Sequence, residues 1–246
     1  MRVIKFSLLF LTFGATASLA QIQPQTMEPT ETMQAPGENW FISHSRGGGR
    51  IYDATTGEMY GLINVSQMTP AIQPSRERQE FYATNIFWSR GNYGERTDLL
   101  VVHDWENLAP VAEIELPQKS MIISFRNYIG LLSGGNHVAS SNMTPAQSVS
   151  ITDVANRNFV GEISTPGCSL IMPVDNNDFL TLCGDGTLML VDVDDDGQEA
   201  GRVRSPQFFD VHADAVYDRP VQSAEGWLLL TRGGRAMTVT GSGVDR

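Results

Sequence analysis

The chain has 246 residues, 41% of them hydrophobic, and a formal net charge of −11 at pH 7. With 17 Lys and Arg against 28 Asp and Glu, the composition argues against nucleic-acid binding, because phosphate contacts require clustered basic side chains. An acidic surface of this kind is typical of a soluble protein and at most mildly favours cationic substrates or partners.

The N-terminus carries a secretory signal pattern. Two basic residues precede an apolar run, which ends in the small-x-Ala sequence Ser18-Leu19-Ala20. This pattern predicts a signal peptide at residues 1–20, cut after Ala20. A membrane anchor is the alternative, but glycine and hydroxyl residues interrupt the run before it reaches about 20 apolar residues. We therefore expect an exported protein without a membrane span, with 15 basic and 28 acidic residues and a mature charge of −13.

The stretch that follows differs from the rest of the chain. Residues 21–38 are polar and contain several prolines, a composition that predicts a flexible lead-in. Residues 39–246 carry the strand-like patterns and are predicted to form the folded domain.

A hairpin-like unit recurs in this domain. The stretch GERTDLLVVHDWENLAPVAEIELP (94–117) predicts two strands around a turn at Asp104, ending in VAEI. Similar ends follow Asp53 and Asp153, and a fourth follows Asp192 slightly out of step; the four ends start at positions 60, 111, 160 and 200. A period of about 40 to 50 residues, with about four short strands per unit, predicts an all-β fold of the β-propeller type. A β-sandwich of unrelated hairpins is the alternative.

The two cysteines are placed to pair. Cys168 and Cys183 flank the turn residues Asp175-Asn176-Asn177, and export permits a disulfide. A tight turn centred between Asp175 and Asn176 places Cys168 directly opposite Cys183, within disulfide reach. We predict a Cys168–Cys183 disulfide, with two buried free thiols as the alternative.

No catalytic or metal constellation follows from the residues themselves. DVDDDG at 192–197 matches the first half of an EF-hand loop, but Val203 stands where the bidentate glutamate is required, which predicts an acidic turn instead. The four histidines lie in different repeats without zinc-site spacing. His103 and Asp104 are neighbours on a strand and are expected to point to opposite faces. We therefore predict no catalytic residue, no metal site and no cofactor-binding residue in this chain.

Two motifs add a family resemblance. GERTD at 94–98, followed by EIELP at 113–117, resembles the heavy subunit of bacterial methylamine and aromatic-amine dehydrogenases. A second match is the pattern P-x-C…C-x-D-G-x-L, present here as Pro166, Cys168, Cys183, Asp185, Gly186 and Leu188. The resemblance runs from about residue 40 to the end of the chain.

The resemblance implies a function that the residues alone do not show. It implies a periplasmic, seven-bladed propeller without a redox group of its own, which holds a small, cysteine-rich light subunit carrying tryptophan tryptophylquinone. In that family the quinone oxidises a primary amine to aldehyde and ammonia and passes electrons to a copper protein, a cupredoxin. This chain, with two cysteines, is expected to be the heavy subunit, and its four tryptophans are expected to be packing residues. The alternative is an exported propeller that binds a ligand or protein without amine chemistry.

One residue is a candidate for the amine channel. The family lines that channel with an apolar heavy-chain side chain from the loop after the first hairpin. The corresponding loop here is NVSQMTPAIQPS, in which Met68 is the nearest apolar residue. An ordinary residue at the propeller rim is the alternative for Met68.

The length of the chain predicts an incomplete propeller. The 226 residues from Gln21 onwards supply four to five blades at about 45 residues per blade, whereas the resemblance implies seven. The last residues, RAMTVTGSGVDR, repeat the first strand and turn of the recurring hairpin without its second strand. We therefore expect a truncated propeller, with a complete propeller of four or five blades as the alternative.

Overall fold

The computed structural model describes residues 32–35, 37–45, 48–66 and 71–240. These residues form eighteen β-strands and one short 3₁₀ turn, so the prediction of an all-β fold is confirmed. The strands make five separate sheets of three or four strands each, which is the five-bladed form of the predicted β-propeller. Within this part of the chain, no helix is long and apolar enough to cross a membrane. The predicted signal peptide lies outside the described residues, as does Met68.

Each blade is an antiparallel meander that follows chain order. Blade 1 comprises β1 (Trp40–Ser45), β2 (Gly48–Asp53) and β3 (Met59–Asn64). Blade 2 comprises β4 (Ile72–Ser75), β5 (Glu80–Trp88), β6 (Arg96–Asp104) and β7 (Pro110–Leu116). Blade 3 comprises β8 (Ile129–Leu131), β9 (His137–Asn142), β10 (Ser148–Asp153) and β11 (Asn158–Ser164), with the 3₁₀ turn Arg126–Tyr128 before β8. Blade 4 comprises β12 (Cys168–Pro173), β13 (Phe179–Cys183), β14 (Leu188–Val193) and β15 (Glu199–Arg204). Blade 5 comprises β16 (Val221–Ser223), β17 (Gly226–Leu230) and β18 (Ala236–Val239).

The core lies between blades. Neighbouring residues on a strand point to opposite faces of its sheet, and in β13 both faces are apolar: Phe179 packs into the cluster with blade 3, whereas Leu180 packs into the cluster with blade 5. Corresponding clusters join blade 1 to blade 2 and blade 2 to blade 3. The indole N–H of Trp227 also donates to the carbonyl of Pro173, 2.9 Å away, across the interface of blades 4 and 5. Blades 2, 3 and 4 are therefore each held between two neighbours.

The recurring aspartate is a turn residue. In blades 1 to 4 it precedes the outermost strand, and its carboxylate accepts hydrogen bonds from backbone N–H groups two to four residues further on. The four aspartates are Asp53, Asp104, Asp153 and Asp194. Such side-chain bonds hold the backbone in a turn, which is the physical reason that the repeat carries an aspartate at this place.

In blade 4 the prediction that Asp192 is the turn aspartate was wrong. Asp192 lies within β14, opposite Gly201, and the turn belongs to Asp194, whose Oδ1 accepts the N–H groups of Asp196 at 3.0 Å and Gln198 at 2.8 Å. The predicted acidic turn is therefore confirmed, but its turn aspartate is Asp194, two residues further along the chain than Asp192. No group of three His, Cys, Asp or Glu side chains in the described ranges is placed to hold a metal ion.

The predicted disulfide is confirmed. Cys168 and Cys183 are bonded and stand directly opposite each other in the β12–β13 pair. Both are buried between blades 3 and 4.

The pairing was predicted from a tight turn centred between Asp175 and Asn176, and that prediction of the turn was wrong. The connection spans Val174–Asp178, closed by a hydrogen bond from the N–H of Val174 to the carbonyl of Asp178, and Pro173 pairs with Phe179. A register shift between Ser169 and Met172 then displaces the pairing by one residue. The wider turn and the irregular strand compensate for each other, so the two cysteines still meet.

Replacing both cysteines, as Cys168→Ala with Cys183→Ala, is expected to lower the free energy of unfolding by about 3 kcal/mol. The bond closes the loop between the two cysteines and thereby restricts the conformations of the unfolded chain. Urea denaturation of the variant and of the oxidised native chain measures the difference. The reduced native chain is the control and should unfold close to the variant. A loss below about 1 kcal/mol would contradict the stabilising role.

Replacing the turn residue Asp153 by alanine is expected to cost about 1 kcal/mol, because the N–H groups of Ala155 and Asn156 lose their acceptor. Asp153→Asn keeps the oxygen acceptor and should cost less. Burial tends to raise the pKa of Asp153, but hydrogen bonds from Asn156 and Ala155 outweigh it and hold the pKa below its ordinary value.

The lowered pKa of Asp153 determines how its contribution to the free energy of unfolding depends on pH. A carboxyl whose pKa is lower in the folded state stabilises the fold above its unfolded pKa of about 3.9, and the contribution is lost as pH falls through the folded value. The stability difference between the native chain and Asp153→Asn should therefore shrink in urea titrations below about pH 4. A constant difference down to pH 2 would show that the charge of Asp153 is not involved.

Candidate functional site

The connections between blades and the tips of the inner hairpins lie on one side of the propeller. We call this side the connecting-loop face. It comprises the connections 117–128, 165–167 and 205–220 together with the tips between the second and third strands of blades 2 to 4, residues 89–95, 143–147 and 184–187. The aspartate turns lie on the opposite side, because each strand crosses the full height of its blade.

The GERTD motif builds a charged clamp on the connecting-loop face. Arg96 and Asp98 stand two residues apart on β6 and therefore share one face of the strand. Their side chains form a double ion pair, Nε to Oδ1 at 2.6 Å and Nη2 to Oδ2 at 2.7 Å. The same two groups bind the backbone of Ser120: its N–H donates to Asp98 Oδ2 at 2.9 Å, and its carbonyl accepts from Arg96 Nη2 at 3.0 Å. The clamp thus fixes the start of the connection from blade 2 to blade 3.

The same connection is fastened to blade 3. Ser120 forms an isolated backbone bridge with Asn142, and the carbonyl of Lys119 accepts the N–H of Met143 at 3.0 Å. The ammonium of Lys119 also reaches Glu162 on β11 at 2.7 Å. This hydrogen bond from Lys119 is the main reason that the pKa of Glu162 lies below its ordinary value. The backbone of residues 118–121 is therefore positioned from both blades.

Beyond the clamp, the connecting-loop face exposes apolar side chains. Ile122 and Ile123 follow directly in the clamped connection and are each 43% exposed. Phe87 and Tyr93 are exposed on the neighbouring β5–β6 hairpin, and Met143 is exposed at the tip of the β9–β10 hairpin. Contiguous exposed apolar patches mark protein-binding surfaces, whereas single exposed apolar side chains are ordinary, so the adjacent Ile122 and Ile123 are the relevant pair on this face.

Aromatic and basic side chains meet further along the connection. The Phe125 and Tyr128 rings stack at 5.5 Å between centroids, and the guanidinium of Arg219, from the connection between blades 4 and 5, lies 3.5 Å from the Phe125 centroid. A cation over an aromatic ring is attracted by the ring quadrupole. Burial raises the pKa of the Tyr128 phenol. These contacts couple the connection of blades 2 and 3 to that of blades 4 and 5.

The loop that contains Met68 begins beside the clamp. The N–H of Ser66 donates to Asn85 Oδ1 at 2.5 Å, and the hydroxyl of Ser66 accepts the N–H of Ile86 at 3.3 Å. Ile86 is paired with Asp98 across β5 and β6, so the loop leaves blade 1 on the connecting-loop face. Met68 itself lies outside the described residues, and its assignment to an amine channel stays a prediction.

The structure separates the other residues that the sequence singled out. His103 is buried and Asp104 begins the turn before β7, so they do not form an acid–base pair. Burial lowers the pKa of the His103 imidazole. Of the four tryptophans, Trp105 and Trp227 are buried in the clusters between blades, in agreement with the prediction that they are packing residues.

The role of Arg96 and Asp98 was missed by sequence reasoning, which used GERTD only as a family motif. The available signal was an oppositely charged pair two residues apart at the start of an otherwise apolar strand. Their shared partner, the backbone of Ser120, lies 22 residues further on and could not be read from the sequence.

Removing the clamp carboxylate by Asp98→Ala is expected to lower the free energy of unfolding by about 3 to 5 kcal/mol, because it leaves the paired guanidinium of Arg96 without its counter-charge in a largely buried place. The matched control is Glu199→Ala, which breaks the partly exposed pair with Arg202 and should cost no more than about 1 kcal/mol. Urea denaturation measures both changes. Native-state trypsin cleavage after Lys119 should accelerate in Asp98→Ala only; equal cleavage rates in the two variants would contradict the clamp.

Comparison with known proteins places this architecture in a family. The model of the methylamine dehydrogenase heavy chain family matches residues 44–239. Similar curated proteins include the methylamine dehydrogenase heavy chain of Methylophilus methylotrophus, 25% identical over 59% of this chain and 36% of the relative. The heavy chain of Methylorubrum extorquens is 25% identical over 73% of this chain and 44% of the relative. The chain thus spans less than half the length of these curated relatives.

Solved structures agree on the fold alone. The dihydro-heme d1 dehydrogenase NirN superposes with a TM-score of 0.53 at 16% identity, covering 91% of this chain and 48% of that one. BamB from Moraxella catarrhalis gives a TM-score of 0.52 at 12% identity, covering 86% of this chain and 58% of that one. The family match extends from β1 in blade 1 to β18 in blade 5 and includes both the clamp and the disulfide. This chain belongs to the methylamine dehydrogenase heavy chain family.

Proposed function

We propose that this chain serves as the heavy, quinone-free subunit of a periplasmic amine dehydrogenase. Its role would be to hold a small, cysteine-rich light subunit on the connecting-loop face. The light subunit would carry tryptophan tryptophylquinone, oxidise a primary amine to aldehyde and ammonia, and pass the electrons to a cupredoxin. The observation that carries the proposal is the family match over residues 44–239.

The connecting-loop face supports this scaffold role. It presents Ile122 and Ile123 on a backbone segment that the Arg96–Asp98 clamp and the Lys119–Glu162 pair hold in place. A surface ordered before binding loses less conformational entropy when a partner docks. This chain would therefore contribute to catalysis by positioning the light subunit.

The residues of this chain do not supply the redox chemistry in this proposal. Trp105 and Trp227 are buried in different clusters between blades, and their side chains serve packing. The quinone would form from tryptophans of the light subunit. Met68, on the loop that starts beside the clamp, is our candidate for the side chain that lines the amine channel.

Purification from the native host tests the assignment. We expect a small subunit with quinone absorbance to co-purify with this chain and to reduce a cupredoxin when a primary amine is added. Repeated purification without such a subunit would favour the alternative, an exported propeller that binds another ligand or protein.

The isolated chain is expected to oxidise no amine, because the electron acceptor would reside on the light subunit. Turnover of a primary amine by the purified single chain with an artificial electron acceptor would contradict the scaffold assignment. Assay of the co-purified complex under the same conditions is the positive control.

Charged substitutions on the connecting-loop face test where the light subunit docks. Ile122→Asp with Ile123→Asp is expected to weaken light-subunit retention at least tenfold, because two carboxylates would be desolvated at the interface. The control is Val111→Asp, which alters an equally apolar and 54% exposed side chain on β7 and should leave retention unchanged. Equal retention by both variants in pull-down measurements would place the interface elsewhere.

A further inference from the structure

The basic residues of the chain are almost all arginines. Of the 15 that follow Ala20, 14 are arginine and one, Lys119, is lysine. Both side chains are cationic at pH 7, but their chemistry differs. The guanidinium of arginine keeps its proton, whereas the amine of lysine can lose one and then forms Schiff bases with carbonyl compounds. Residues 21–246 therefore carry their positive charge with a single side-chain primary amine.

That amine lies on the connecting-loop face, within reach of small molecules. Lys119 belongs to the connection from blade 2 to blade 3, and its side chain is 32% exposed. Its ammonium donates to Oε2 of Glu162 at 2.7 Å, and the Glu162 side chain is 31% exposed. A water-soluble aldehyde can approach Nζ from the solvent, while the carboxylate occupies the side towards blade 3.

Both partners of this pair are held in place. The N–H of Lys119 donates to the carbonyl of Pro117 at 2.7 Å, and the carbonyl of Lys119 accepts from the N–H of Met143 at 3.0 Å. Glu162 lies on β11 and also accepts a hydrogen bond from the hydroxyl of Ser148. An ion pair between fixed groups loses less side-chain entropy than one between mobile groups. The Lys119–Glu162 pair is therefore preorganised.

The pair opposes reaction with an aldehyde. A carbonyl carbon is attacked by the lone pair of an uncharged amine, so the ammonium must first lose a proton and Nζ must turn away from Glu162. Breaking a partly exposed pair of this type slows the attack by at most about fivefold. Glu162 therefore slows the modification of Lys119 without abolishing it.

The source of the aldehyde rests on the proposed function. The light subunit that we place on the connecting-loop face would form an aldehyde from each primary amine that it oxidises. Arginines on the same face, such as Arg90 and Arg219, stay protonated and form no Schiff base. Lys119 is the side-chain amine of this chain that the product would meet.

We propose that Lys119 is the site at which aldehydes modify this chain and that Glu162 protects it. Nζ loses one proton to water and attacks the carbonyl carbon, forming a C–N bond, and the resulting carbinolamine loses water to become an imine. The net reaction consumes one ammonium and one aldehyde and releases one water and one proton, without electron transfer. An uncharged imine has no N–H group to donate to Glu162, so modification removes one contact that fastens residues 118–121 to blade 3.

Formaldehyde with sodium cyanoborohydride is the probe, because the hydride reduces the imine and makes the modification permanent. The chain from Gln21 carries Arg90→Lys, which places a reference lysine on an exposed hairpin tip. Arg90 forms no ion pair with any side chain that the structure describes. Peptide mass spectrometry measures both rates in one sample, and Lys119 should react at least about twofold more slowly than the reference lysine.

The role of Glu162 is tested with Glu162→Gln, which keeps the shape of the side chain and removes its charge. In the same reference background, Lys119 should react about threefold faster, and the reference lysine at an unchanged rate. The matched control is Glu225→Gln, which removes an exposed carboxylate from the turn between β16 and β17 and should change neither rate. Circular dichroism confirms that each variant is folded.

Three results would overturn the proposal: reaction of Lys119 at the rate of the reference lysine, an unchanged rate at Lys119 in Glu162→Gln, or adducts that form on another native side chain before Lys119. The aldehyde is added directly to the isolated chain, so the outcome does not depend on whether a light subunit co-purifies. Absence of that subunit would remove the source of the aldehyde and leave the reactivity of Lys119 as measured.

Discussion

The fold depends on the middle blades, whose sheets are apolar on both faces and are therefore covered on both sides. In β13 the alternation of Phe179 and Leu180 sends one ring towards blade 3 and one aliphatic chain towards blade 5. A sheet of this kind cannot leave one face in water, as a sandwich sheet can. Stacking the blades around an axis meets this requirement, because each blade covers one face of the next blade.

The same constraint distributes stability unevenly along the chain. Blades 2, 3 and 4 have a neighbour on each face, whereas blade 1 exposes Phe41 and Leu62, and blade 5 exposes Leu228 and Leu230. Elements with fewer buried apolar contacts open at lower free energy. The disulfide adds a covalent link within blade 4, where both interfaces are apolar.

Polar residues have different roles on the two sides of the propeller. On one side, aspartates such as Asp53 and Asp153 close turns locally by accepting the N–H groups of the residues that follow them, and Arg157 of the Asp153 turn also pairs with Glu80 of blade 2. On the connecting-loop face, the clamp of Arg96 and Asp98 acts across a blade boundary on Ser120. Local bonds serve repeated architecture, whereas the long-range clamp orders one particular surface, which is the surface that we assign to the light subunit.

The sequence by itself determined the all-β class and the repeat, because alternation and turn residues are local properties of the chain. It also predicted the pairing of Cys168 with Cys183, but through a tighter turn and a more regular strand than the structure shows. It also led to the family through GERTD. Only the tertiary structure decided that Asp194 replaces Asp192 at the turn of blade 4, and that a register shift accompanies the wide turn before Phe179. It alone brought Ser120 to the clamp and Arg219 to the ring of Phe125. These contacts join residues far apart in the chain, and their geometry follows from how the blades stack, which no local pattern encodes.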